Sequence, residues 1–168
     1  IKVGDVTVKL NKLFGWFCGA YIADGSTNSS EISIAKNYVE FHVNICEIAK
    51  LFDRKTYQTK HIGPIMGSAK EYESIVTSFG YKPLALFLKE NFGDNAYHKK
   101  VGQFVFSSNK EFISGILSGL FDGDGNTNEN RQMIRYGSRS EDLIKGMCLL
   151  LAYCGIFASI MQEKSKNY

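Results

Sequence analysis

Apolar residues along the chain fall into blocks whose spacing switches between helical and alternating. The longest apolar stretches run for about a dozen residues, short of the roughly 20 needed to cross a bilayer. Two of them share helical spacing: Leu13, Phe17, Ala20 and Tyr21 in one, Ile113, Leu117, Leu120 and Phe121 in the other. Each block runs into a polar turn, Ser26–Ser30 and Asn126–Asn130, and then into a short alternating segment, Glu31–Ala35 and Arg131–Tyr136, read as strands. Helices follow. Tyr38, Phe41, Ile45, Ile48 and Phe52 make one apolar stripe, and Leu143, Met147, Leu150 and Cys154 another. Asn37 with Glu40, and Ser138 with Glu141, have the spacing of capping boxes. Between the blocks, Tyr57–Ile62 and Glu73–Phe79 read as strands and Lys82–Asn91 as a helix with Pro83 in its first turn. Gln103–Phe106 is one more short apolar run.

The two blocks are copies. LFGWFCGAYIADG at 13–25 aligns without a gap on ISGILSGLFDGDG at 113–125, pairing Gly15 with Gly115, Gly19 with Gly119, Asp24 with Asp124 and Gly25 with Gly125. The chain therefore reads as two helix–strand–strand–helix halves, 11–110 and 111–168, of α/β (α+β) class. Only 43 residues follow Gly125, so the second half is expected to stop before its full complement of elements.

Composition narrows the classes. The chain has 168 residues, 44% hydrophobic, 13% aromatic and with 2 prolines, which excludes collagenous and disordered classes and allows a packed core. Lys and Arg outnumber acids 20 to 17, a mild excess that permits a polyanionic partner without demanding one. No basic and apolar leader opens the chain, so it is expected to stay inside the cell, with no membrane partner. Ile1 stands where Met would, as in a fragment or processed product. Cys18, Cys46, Cys148 and Cys154 form no C-x-x-C pair and are expected to be reduced core residues.

The repeated blocks carry chemistry. A glycine inside a helix costs about 1 kcal/mol against alanine, so four in matched places need a compensating gain. Glycines four apart let a second helix approach closely, and the natural partner of one glycine face is the other. Asp24 and Asp124 sit before glycines that read as left-handed helix ends, where a negative charge opposes the helix dipole. Such a repeated breach of a local rule marks function. Parallel pairing of the helices would bring the two carboxylates together, and adjacent carboxylates repel unless a cation lies between them. Oxygen ligands with open positions suit Mg²⁺. A calcium loop is excluded, because counting from Asp122 puts Thr127 and Met133 where Gly and Glu are required.

FCGAYIADG at 17–25 and LSGLFDGDG at 117–125 resemble the two dodecapeptide motifs of LAGLIDADG homing endonucleases of the single-chain type. The first copy has Ile22 where the motif's first acid stands. HKKV at 98–101, ahead of the second motif, is similar to the lysine segment of intein-borne members, with Val101-Gly102 in place of their Ile-Pro. Neither end reads as a splicing junction, so the resemblance is to the endonuclease domain of an intein. It implies paired LAGLIDADG helices on a pseudo-twofold axis and sheets forming a DNA-binding saddle. It also implies Mg²⁺-dependent cleavage of both strands of a long site by a monomer, with Asp24 and Asp124 as metal ligands and Lys99, or else Lys100, at the phosphate. The second half's lysine would be Lys164 or Lys166. Base and phosphate contacts are expected from Ser26, Thr27, Asn28, Ser33, Asn126, Asn128, Arg131, Gln132 and Arg135, facing away from the helices, with Lys100 and Arg139 beside them. An RNA maturase, an inactive DNA-binding relative and a helix-paired interaction module are the alternatives.

Overall fold

Two helices of matching sequence lie side by side at the centre of the molecule. The computed structural model describes residues 1–64, 71–128 and 132–162. Helix α1 (Lys12–Asp24) starts where the Asn11 side chain accepts from the Phe14 amide at 2.9 Å, and α4 (Lys110–Asp124) starts where Asn109 accepts from Phe112 at 2.9 Å. Their contact is the most extensive between any two elements. It is reciprocal: a methyl on Gly15 would overlap the Phe112 carbonyl and one on Gly115 the Lys12 carbonyl. Likewise Gly19 lies on Ile116 and Gly119 on Trp16. Residue i touching j while their repeats touch in reverse is the signature of a twofold contact. Backbone meets backbone in parallel, which the small-residue spacing predicts.

Each central helix runs into an antiparallel hairpin and a second helix. After α1 come β3 (Gly25–Thr27), β4 (Glu31–Ala35) and α2 (Val39–Leu51); after α4 come β7 (Gly125–Asn128), β8 (Met133–Tyr136) and α5 (Glu141–Tyr153). In the first half β5 (Tyr57–Pro64) and β6 (Glu71–Gly80) extend the sheet to the order β3-β4-β6-β5, all antiparallel. Helix α3 (Lys82–Phe92) and a 3₁₀ turn (Gln103–Ser107) lead to α4, and a small hairpin, β1 (Lys2–Val3) with β2 (Val6–Thr7), precedes α1. Ile32, Ile34, Thr77 and Phe79 turn the sheet's inner face onto the helices. Phe14, Phe17, Tyr21, Phe41, Ile45 and Leu120 fill the core there.

Several expectations change. Gly25 (φ −93°) and Gly125 (φ −70°) are extended, not left-handed: the chain enters a strand directly, and glycine is needed because a Cβ would overlap Tyr21 or Phe121. The capping boxes do not form. Asn37 instead binds β6, accepting from the Ile75 amide and donating to the Glu73 carbonyl, while Ser140 caps α5. Tyr38 and Cys154 leave their stripes for solvent, and of the cysteines only Cys18 is buried. Gly25 pairs with Ile34 but Gly125 with Tyr136, so the second hairpin is two residues longer and the repeat offset grows from 100 to 102. That larger offset carries the N-cap of α2, Tyr38, onto that of α5, Ser140.

Candidate active site

Parallel packing of α1 and α4 brings their C-termini together, and with them Asp24 and Asp124. A methyl on Gly123 would overlap Ala23, so the helix ends converge only because the second motif has glycine there. Two carboxylates at two helix C-termini are mutually unfavourable, and the surroundings show it. Partial burial, reinforced by the Asp24 charge, pushes the Asp124 carboxyl above its ordinary range, although the side chain is reachable from outside. Lys36 provides the local counter-charge. Its Nζ donates to Asp24 Oδ2 at 2.8 Å and to the Gly123 carbonyl at 2.5 Å, tying the first hairpin to both helix ends.

Lys36 was not among the sequence candidates, although a signal existed. A hairpin that starts at Gly25 must return the end of its second strand beside the end of α1. Lys36 directly follows that strand. Asp122, the second motif's other acid, is occupied structurally: it accepts from the Trp16 indole at 2.8 Å across the helix pair. Ile22 stands at the matching place in the first copy and is buried.

Lys99 is buried, 5% exposed, and not a solvated lysine. The segment after α3 carries it under the end of α1. There its Nζ donates to the Tyr21 carbonyl at 2.7 Å and the Gly25 carbonyl at 3.0 Å, with the Tyr21 ring centroid 3.6 Å away. Its own carbonyl accepts from Ser140 Oγ at 2.5 Å, so one segment joins the end of α1 to the start of α5. Burial pushes the ammonium down to about 7, against the pull of Asp94 and Asp24. Lys100 is exposed and contributes only its backbone amide, to Phe92. Around Asp24, Asp124, Lys99 and Tyr136 lies a cleft of about 590 Å³, rimmed by Ser26 and Arg139.

The candidate DNA contacts divide. Ser26 and Ser33 pair across β3 and β4 on the face away from the helices. Asn126 and Arg135 do the same across β7 and β8. Thr27 faces inward, 3.4 Å from the Tyr21 hydroxyl, because alternation puts it beside Ile32. Asn28 spends its carbonyl on the Ser30 and Glu31 amides, closing the hairpin turn. Gln132 sits at φ 47° in the second turn. Arg139 reaches the Tyr97 hydroxyl at 2.8 Å. Arg131, Lys164, Lys166 and the side chain of Asn128 lie outside the described residues.

Residues 111–168 match the LAGLIDADG-like domain family. The whole chain resembles I-DmoI in complex with DNA and Mn, with a TM-score of 0.66 at 10% identity over 94% of this chain and 86% of that one. The chain's fold, two α/β units meeting through paired motif helices, is that of the homing endonuclease I-DmoI, and its second half matches a LAGLIDADG-like domain. The DNA-directed RNA polymerase subunit Rpo1C of Methanocaldococcus jannaschii is 38% identical over 160 residues, which is 95% of this chain but 18% of that protein. A DNA polymerase of Thermococcus sp. is 28% identical over 99% of the chain and 10% of its own length. The replication factor C small subunit of M. jannaschii is 26% identical over 90% of the chain and 9% of its length. The chain thus spans less than a fifth of each of these relatives.

Proposed function

We propose that this protein is a LAGLIDADG endonuclease, divalent-metal-dependent and site-specific, that cuts both strands of duplex DNA. The observation that carries the reading is the convergence of Asp24 and Asp124 at the ends of two helices packed backbone to backbone. Folding gains little from that placement, since like charges and helix dipoles both oppose it and Lys36 offsets the charge of Asp24 alone. A divalent cation would reward it, and Mg²⁺ fits a donor set of two carboxylates that leaves positions open for water and phosphate. Bound there, the cation would supply Lewis-acid activation of water and neutralise charge on the phosphate. Lys36 holds the Asp24 carboxylate in place and adds positive charge beside it. Lys99, close enough for the Asp24 charge to bear on it, supports the end of α1 and offers a cation to the developing phosphate charge.

The outer faces of the hairpins present Ser26, Ser33, Asn126 and Arg135 as a ribbon that fits a major groove. I-DmoI, which has the same fold, forms a complex with DNA and Mn, and this supports duplex DNA as the partner. The monomer suffices in this reading, because the internal repeat supplies both carboxylates. The relatives support an intein-type origin. An RNA polymerase subunit, a DNA polymerase and a replication factor subunit do different work, yet share a stretch like this one. A stretch shared by proteins of such different names is readily understood as an inserted, mobile element.

The test is incubation of the purified protein with randomised duplex DNA and Mg²⁺ or Mn²⁺, with the ends sequenced. Recurrent double-strand ends at one motif are expected. Binding without cleavage would leave an inactive DNA-binding protein, and preference for a structured intron RNA a maturase.

A further inference from the structure

The two halves of the site are chemically unequal. Lys36 lies two residues beyond Ile34, the strand residue paired with Gly25. Its structural counterpart, two beyond the partner of Gly125, is Ser138. A serine is too short to do what Lys36 does, and this one accepts from the Ser140 amide at 3.1 Å in the run into α5. Asp124 therefore receives no lysine from its own hairpin.

At the position of Ile34 the second half has Tyr136. Ile34 closes the first half's core and is 1% exposed. Tyr136 takes the same inward direction, its ring edge-on to Phe121 with centroids 5.8 Å apart, and it lines the cleft with both aspartates. Its hydroxyl is buried and has no hydrogen-bond partner among the described residues. An unmet buried hydroxyl costs about 1–3 kcal/mol, and phenylalanine would fill the same space without that cost. A polar atom kept there against local stability calls for a ligand.

We propose that the Tyr136 hydroxyl is a phosphate contact of the second half, donating its hydrogen bond to a non-bridging oxygen of the phosphate cut at Asp124, where the first half has the lysines Lys36 and Lys99 beside Asp24. This rests on the endonuclease reading above. A phenol ordinarily ionises at about 10, so it stays a donor through the physiological range. A neutral donor stabilises the charged phosphate less than an ammonium does, so this contact is weaker than a lysine's.

The experiment is Tyr136→Phe in the full protein, on a supercoiled plasmid carrying a target that the wild type selects, with the strands end-labelled. The expected result is an unchanged or raised Tm, unchanged DNA affinity, and nicked circles broken in the same strand in every molecule. Cutting of the other strand should slow on the order of 10²-fold, the scale of losing one transition-state donor. Linear product at the wild-type rate overturns the proposal, as does equal slowing of both strands. A wild-type protein that cuts no DNA with either metal overturns the endonuclease reading itself, a different outcome from either.

Discussion

Asp124 shows at the scale of one residue how function is set against stability. Its carboxyl is pushed up by partial burial and by Asp24, so on unfolding it gives up its proton more readily than in the folded chain. Stability from this group is therefore lost as pH rises through the carboxylate range. Asp124→Asn should melt above the wild type at neutral pH, with the difference closing on acidification; thermal melts at several pH values check it. Lys99 titrates in the opposite sense. Folded, its ammonium releases its proton near pH 7, and unfolded at the ordinary 10.5. Between those values the unfolded chain holds the extra proton, so stability climbs with pH across that window. Lys99→Met should remove that climb, read as the difference between the two proteins' denaturant midpoints. It should also lower turnover well before DNA affinity, because Lys99 supports the end of α1 that carries Asp24.

The central helices were legible as elements because their glycines, apolar positions and aspartates repeat together. Gly19→Leu or Gly119→Leu should lower stability by roughly 1–3 kcal/mol or more, since each side chain would drive into a backbone carbonyl of the other helix. Gly80→Ala is the control: among the described residues the added methyl would meet the Ser30 carbonyl alone, at 3.9 Å, and the variant should melt near the wild type. Gly93, which reads as a loop glycine, would be the wrong control: it ends α3 at φ 79°, and a Cβ there would overlap His98. That constraint is local, a helix end at positive φ and a contact five residues along the chain, which a loop reading passes over. The capping boxes failed for a long-range reason. β6 competes for the Asn37 side chain, and a partner 36 to 38 residues away is invisible to a spacing rule. Lys36 was readable in principle, but only after folding the hairpin in thought and asking what its second strand lands beside.

At the scale of the whole molecule, the outer faces of the two hairpins carry little basic charge among the described residues. Ser26 and Ser33 on one hairpin are neutral, and Glu31 on the same outer face accepts a hydrogen bond from the Tyr57 hydroxyl. Arg135 on the second hairpin is exposed, its guanidinium meeting the Met133 sulfur among the described residues. If Arg135 contacts a phosphate, Arg135→Ala should weaken binding and reduce the slope of log K against log salt by about 0.9. If it reads a guanine, the slope should hold while one base position relaxes. The twofold plan was visible in the sequence, whereas the unequal furnishing of its halves, Lys36 against Ser138 and Ile34 against Tyr136, was hidden by the two-residue difference between hairpins. Central to the account is that Asp24 and Asp124 form one metal-dependent cutting centre. Its most direct test is double-strand cleavage of a selected target by Asp24→Asn and Asp124→Asn, alongside DNA affinity in the presence of Mg²⁺. Each variant should lose cleavage of both strands in concert while holding affinity within about tenfold, since the carboxylates serve metal and not DNA contact. Undiminished cutting by either variant would contradict the account.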